Sequence, residues 1–190
     1  AAITCVKPSG TVSQLVDSAS GIHPRHSAFY IRRVRGDKKD PLTQFLISQG
    51  IPSEDDVYKP TQTTVFSFPI KAPAGITRAD VTPISHLALW LTYQQHWCEH
   101  KPSVTISVEE KDWPSVGAWT WDNFSEISGV SYLPYDGGTY RQAPYEECTE
   151  EEYNELKAKV PTINWQEFKE VTDNVEGAQQ LACSAGSCEI

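Results

Sequence analysis

Hydrophobic and polar positions along this chain follow two different periods. Alternation over Thr64–Ile70, with Val65 and Ser67 opposing Phe66 and Phe68, predicts a strand, as do Val104, Ile106 and Val108 over Ser103–Val108. Ile3–Val6, Phe29–Arg35 and Val130–Leu133 read as further strands. Helical spacing begins after Thr82-Pro83, a cap followed by a first-turn proline, and places Leu87, Trp90, Leu91 and Trp97 on one face as far as Glu99. Asp112 and Pro114 open a second helix with Val116, Trp119, Phe124 and Ile127 on one side, and Gly129 ends it. Thr149 and Glu152 spell a capping box for a helix that runs to about Val160, where Pro161 stops it. Val12–Ser18 is a further short helix. The mixture predicts an α/β fold. From Thr172 onward, Asp173, Asn174, Glu176, Gly177, Gln179 and Gln180 show no core-facing period, which predicts a flexible tail over 172–190 behind a body of 1–171.

Charge and cysteine usage narrow the function classes. With 16 Lys and Arg against 25 Asp and Glu, a net charge of -9 repels a nucleic-acid backbone, so no nucleic-acid partner is expected. No apolar run approaches the roughly 18 residues of a membrane span, and no basic-then-apolar leader is present. No membrane association is expected, and the cytoplasm is the expected location. Five cysteines, an odd number, occur as Cys5, Cys98, Cys148 and a close pair, Cys183 and Cys188; this is not the framework of a secreted domain. The chain opens on Ala1-Ala2-Ile3-Thr4 and runs straight into a strand, so it reads as part of something longer.

Two segments carry candidate chemistry. A strand leading through Pro8-Ser9-Gly10-Thr11 into a helix presents unpartnered N–H groups, and Ser9, Gly10, Thr11, Val12 and Ser13 can offer amides and hydroxyls to a phosphate beside Lys7. A capped turn without a ligand fits the same spacing. Cys183 and Cys188 bracket Ser184-Ala185-Gly186-Ser187, which suits an inert pair, half a zinc site, a structural disulfide or a redox shuttle. Zinc is the weakest of these, because His96, Cys98 and His100 fall on a predicted helix where alternate residues point apart.

Other residues have simpler readings. Arg32, Arg33 and Arg35 suit phosphates, or better an ion-paired strand face. His23 and His26 lie in a loop just beyond the phosphate segment, where either could approach a ligand, although a lone loop histidine is more often structural or exposed. Trp113, Trp119, Trp121 and Phe124 suit a stacking surface, though helical packing explains most of them. Cys5 is expected to be buried in its strand, Cys98 to serve packing, and Cys148 has no base beside it. Tyr140–Tyr145 follows a Gly137-Gly138 turn, and its role is open.

The stretch Thr4-Cys5-Val6-Lys7-Pro8-Ser9-Gly10-Thr11-Val12-Ser13-Gln14-Leu15, with Gly21-Ile22-His23-Pro24 and Tyr30-Ile31-Arg32-Arg33-Val34-Arg35, resembles class II, adenosylcobalamin-dependent ribonucleotide reductases. Lys101-Pro102-Ser103-Val104-Thr105-Ile106, Ile127-Ser128-Gly129-Val130-Ser131 and Tyr140-Arg141-Gln142-Ala143-Pro144-Tyr145 extend the resemblance in the same order over nearly the whole chain. It implies the C-terminal part of a ten-stranded α/β barrel, with Ser9, Gly10 and Thr11 at the phosphates of a nucleotide substrate. It also implies that Cys183 and Cys188 re-reduce an active-site disulfide and are themselves reduced by thioredoxin, as in the monomeric triphosphate type. Adenosylcobalamin would be the radical source, with contacts that this sequence does not place. The Asn-x-Cys-x-Glu motif of the family's radical cysteine is absent from the sequence. The radical cysteine, its carboxylate, one exchange thiol and the effector site are therefore expected on an N-terminal portion or separate chain, leaving this chain inactive alone. The rivals are a stand-alone dithiol redox carrier and a non-catalytic nucleotide-binding module.

Overall fold

The computed structural model describes residues 2–135 and 141–169, together with the backbone of 183–184 and 187–188. In chain order the elements are α1 (Val12–Leu15), β1 (Phe29–Asp37), α2 (Pro41–Ser48), β2 (Ser53–Asp55), β3 (Thr63–Lys71), α3 (Pro83–His96), β4 (Thr105–Val108), α4 (Trp113–Asp122), β5 (Ser131–Pro134), β6 (Tyr145–Glu147), α5 (Glu150–Lys159), β7 (Cys183–Ser184) and β8 (Ser187–Cys188). The fold is mixed α/β, and contacts divide it into two units, Ala1–Ala28 with Ala72–Thr139 and Phe29–Lys71 with Tyr140–Ile190. No helix among the described residues is long and apolar enough to cross a membrane.

The first unit is built on a parallel pair, β4 and β5, with Ile106 opposite Tyr132. Parallel strands need cover, and α3 supplies it with Leu87 and Trp90, both fully buried with Ile106, Val108 and Val116. Trp90 buries its ring without losing a hydrogen bond, because its indole N–H donates to the Pro102 carbonyl at 2.9 Å. The Thr82 hydroxyl accepts from the Ser85 amide and Pro83 begins the helix, so α3 starts where its sequence signal lies.

The second unit is an antiparallel sheet of order β2-β3-β1-β6 with α5 packed against it. The Thr149–Glu152 capping box forms in both directions and starts α5. Helix α2 was not anticipated, although Asp40-Pro41 is the same cap-and-proline signal as Thr82-Pro83. It lies so close to β1 that a Cβ on Gly36 would sit 2.3 Å from the Thr43 hydroxyl, so only glycine fits there.

Several expectations are corrected. Ile3–Val6 forms no ladder; it is an extended segment held from one side, Ile3 is 87% exposed and Cys5 is exposed rather than buried. The helix at Val12 stops at Leu15 instead of Ser18, because Asp17 turns the chain with φ 52°. Helix α3 ends at His96, so Trp97 leaves the buried face; α4 ends at Asp122, so Phe124 falls in a separate turn and is exposed. Packing does not account for Trp121, which is 82% exposed. Strands β2 and β6 were also missed, each being only three residues long.

The β1 arginines are occupied within their own unit. Arg35 donates from Nε to Asp56 at 2.9 Å and from Nη2 to the Gln142 carbonyl at 3.1 Å. Arg33 bonds the Ala143 carbonyl and pairs with Glu146, while Arg32 bonds the Pro144 carbonyl and lies 4.3 Å over the Tyr145 ring. Asp56 is buried and also accepts from the Tyr58 and Lys59 amides at 2.9 and 2.8 Å. Burial pushes its pKa up, but Arg35 and the two amides outweigh this and hold it below the usual 3.8. Asp56→Ala strands a charge and two amides, and should cost about 3 kcal/mol in urea unfolding with an unchanged m-value. Asp56→Asn, which still accepts from the amides, should cost less.

Candidate phosphate loop and terminal dithiol

A chain of hydrogen bonds runs from the core of the first unit to the 9–13 loop. The Thr105 amide, at the start of β4, donates to Nε2 of His23 at 2.9 Å. His23 then donates from Nδ1 to the Ser20 carbonyl at 2.8 Å, since the accepted amide fixes the neutral tautomer. The Ser20 hydroxyl accepts from the Ser9 amide at 2.7 Å, and the Ser9 hydroxyl accepts from the Ser13 amide at 3.0 Å. Ser13 is buried and returns its hydroxyl to the Ser9 carbonyl at 2.5 Å. Gly21, at φ +60°, permits the approach: a Cβ there would lie 3.1 Å from the Lys7 carbonyl oxygen.

Ser9 and Ser13 therefore spend their hydroxyls on closing the loop, and the donors left over lie between them. Among the described residues the amides of Gly10, Thr11 and Val12 donate no hydrogen bond, and the Thr11 side chain makes no capping bond. Gly10 faces open space, with nothing within 4 Å of an added Cβ, and Lys7 is exposed nearby in sequence. Helix α1 is a single turn, so its dipole adds little; the donors are the loop's own N–H groups.

Three histidines in this unit are held neutral. His23 and His86 meet edge to face at 6.0 Å, and His86 donates to the Ile22 carbonyl at 2.8 Å. Burial lowers both pKa values, and the backbone bonds oppose it only in part. Burial and then the Arg78 charge lower His26 from 6.5 to about 3; Arg78 bonds both its ring and its carbonyl at 3.1 Å. A cavity of about 50 Å³ beside His23, His86, Arg78 and Thr105 has room for a water, not a nucleotide.

The terminal pair is described only in its backbone. Cys183–Ser184 runs antiparallel to Ser187–Cys188, with Cys183 opposite Cys188. Directly opposed residues have Cα atoms about 4.5–5.5 Å apart, a separation that a disulfide spans. The rest of the 172–190 tail, and Gly137-Gly138 with Tyr140, lie outside the described residues. Within the neighbouring segment Gln142, at φ 55° and buried, accepts from the Val57 amide and donates to the Asp55 carbonyl, both at 2.9 Å. Its role is to hold the 141–145 segment against β2. Sequence reasoning missed this and the part played by His23, since both depend on partners more than 80 residues away.

No family model matches the chain. It is 32% identical over 190 residues to the adenosylcobalamin-dependent ribonucleoside-triphosphate reductase of Euglena gracilis, an alignment covering 98% of this chain and 26% of that protein. The enzyme of the same name from Lactobacillus leichmannii is 30% identical over 195 residues, covering 98% and 26%. A probable member from Dictyostelium discoideum is 32% identical over 193 residues, covering 98% and 25%. A crystal structure of a B-12 dependent (class II) ribonucleotide reductase superposes with a TM-score of 0.68 at 31% identity, covering 83% of this chain and 22% of that one. This chain belongs to the class II ribonucleotide reductase family. It spans about a quarter of the length of the curated relatives it matches.

Because this class II chain keeps His23, His26 and His86 neutral when folded, its unfolded state takes up more protons once pH falls below about 6.5. Their contribution is whole above that pH and is lost progressively on the way down to the folded values. Carboxylates such as Asp56 stay charged through the upper part of this window. The melting temperature should be level above about pH 7 and fall between pH 6.5 and 5; a level profile across that interval contradicts the assignment.

Proposed function

We propose that this chain supplies the C-terminal part of the catalytic barrel of an adenosylcobalamin-dependent reductase that converts ribonucleotides, as triphosphates, to deoxyribonucleotides in the cytoplasm. The observation that carries the reading is the 9–13 loop, in which the Ser9–Ser13 closure leaves the Gly10, Thr11 and Val12 amides for the substrate phosphates. The parallel β4–β5 pair supports the barrel, because two parallel strands seldom stand without further strands beside them. Ten strands would be completed by an N-terminal portion or separate chain.

The second contribution is the dithiol. Cys183 and Cys188, opposed in the backbone, would pass two electrons to the active-site disulfide and be restored by thioredoxin. The radical cysteine and its carboxylate would come from the remaining three quarters of the enzyme. When bound, adenosylcobalamin supplies the radical that starts the reaction. Two cavities among the described residues of the first unit offer it no enclosed site: one is about 50 Å³, and the other is an open groove lined by Glu109, Glu110, Lys111 and Tyr135. No step is assigned to this chain through the cofactor.

Mixing the chain with the separately expressed remainder of the reductase tests the reading. Cobalamin-dependent reduction should require both pieces. Gly10→Ala, whose Cβ meets nothing in the free loop, should raise the substrate KM about tenfold without changing the melting temperature; an unchanged KM contradicts the phosphate role. Cys183→Ser or Cys188→Ser should abolish repeated turnover with thioredoxin but keep it with a small dithiol. Equal failure with both reductants places these cysteines in the catalytic core. Ribonucleotide reduction by this chain alone contradicts the reading outright, and electron exchange with thioredoxin by this chain without nucleotide chemistry in the mixture favours the rival redox carrier.

A further inference from the structure

A second pair of cysteines, Cys5 and Cys98, lies on two segments of the first unit that hydrogen bonds hold side by side. Thr4 donates its hydroxyl to the Trp97 carbonyl at 2.6 Å and accepts from the Glu99 amide at 3.2 Å, and its carbonyl accepts from the His100 amide at 3.2 Å. The Glu99 carboxylate accepts from the Ile3 and Thr4 amides at 2.5 and 3.3 Å. On the other side of Cys5, the Val6 carbonyl accepts from the Ser103 amide at 2.9 Å. Both chain neighbours of Cys5 are thus tied to residues 97–103, the stretch that carries Cys98. Cys5 is exposed, and Cys98 is buried.

We infer that Cys5 and Cys98 form a reversible dithiol–disulfide couple, with exposed Cys5 as the entry point for a small disulfide oxidant and Cys98 as the resolving thiol. In the first step the Cys5 thiolate attacks the oxidant, forming a Cys5 mixed disulfide and releasing one thiol. In the second, Cys98 attacks the Cys5 sulfur, closing the Cys5–Cys98 bond and releasing the other thiol. Two electrons and two protons leave the protein, and both appear in the two released thiols. The division of labour follows from access: an oxidant reaches Cys5 from solvent, whereas Cys98 meets it only once it is covalently held on the adjoining segment. Burial pushes the Cys98 thiol up, as does a nearby Cys5 charge, and the Val6 amide only partly offsets them. Resolution should therefore quicken with pH. The bond would staple the extended 3–6 segment to the loop after α3, immediately ahead of Lys7 and the 9–13 loop.

The test uses the 190-residue chain carrying Cys148→Ser, Cys183→Ser and Cys188→Ser, so that only the two thiols in question remain. It is incubated with glutathione disulfide under native conditions, and intact and peptide masses are read. The expected product has lost the mass of two hydrogens, retains no glutathione, yields a peptide joining Cys5 to Cys98, and reverts with dithiothreitol. Adding Cys98→Ala should trap one glutathione on Cys5. Adding Cys5→Ser should leave Cys98 unreacted until urea is present, which also shows that the native chain was folded. A stable glutathione adduct on Cys5 with Cys98 free in the two-thiol chain, or a Cys5 that fails to react, overturns the proposal.

Discussion

The parallel pairing of β4 with β5 is the constraint from which the rest of the first unit follows. Such a pair survives only if apolar residues cover it, and α3 provides that cover through Leu87 and Trp90. Once the helix is seated, its other groups acquire fixed partners: His86 reaches the Ile22 carbonyl, and the turn after α3 lines up with the 3–6 segment. The amide that begins β4 holds His23, and His23 holds the loop that ends in Ser9 and Ser13. Packing in the core thus sets the position of the exposed amides through four polar contacts, each short and each within one unit.

An acidic chain that is to hold a polyanion must solve an electrostatic problem. With a net charge of -9 its far field opposes the ligand, and the arginine-rich β1 strand does not relieve this, because Arg32, Arg33 and Arg35 are engaged by carbonyls and carboxylates around them. The proposed recognition relies instead on backbone amides, whose partial charges act at hydrogen-bond range and carry no net charge. Discrimination would come from geometry, which is why the closure between Ser9 and Ser13 matters more than any single cation.

Much of this architecture was legible in the sequence. The proline-marked start of α3 and the capping box of α5 are local signals with local causes, and both appear where expected. Of the 9–13 segment, the turn into a short helix was legible, but not the Ser9–Ser13 closure, and the strand expected before it does not form. The failures have equally physical origins. Trp97 and Phe124 kept the helical period in sequence, but the helices end at His96 and Asp122, and a period has no meaning past its helix. Cys5 looked like an interior strand residue by its apolar neighbours, yet its segment is bonded from one side only. His23 could be read only as a structural or exposed loop histidine and Gln142 not at all, since a side chain that supports a distant backbone leaves no periodic trace.

The central claim is that the amides of Gly10, Thr11 and Val12 hold the phosphates of the substrate. It is tested most directly by a crystal structure of the reconstituted reductase with a ribonucleoside triphosphate bound. The account predicts phosphate oxygens within about 3.2 Å of those three nitrogens, with the Ser9–Ser13 closure intact beneath them. Phosphates bound on another surface, with the three amides still facing solvent, would contradict it.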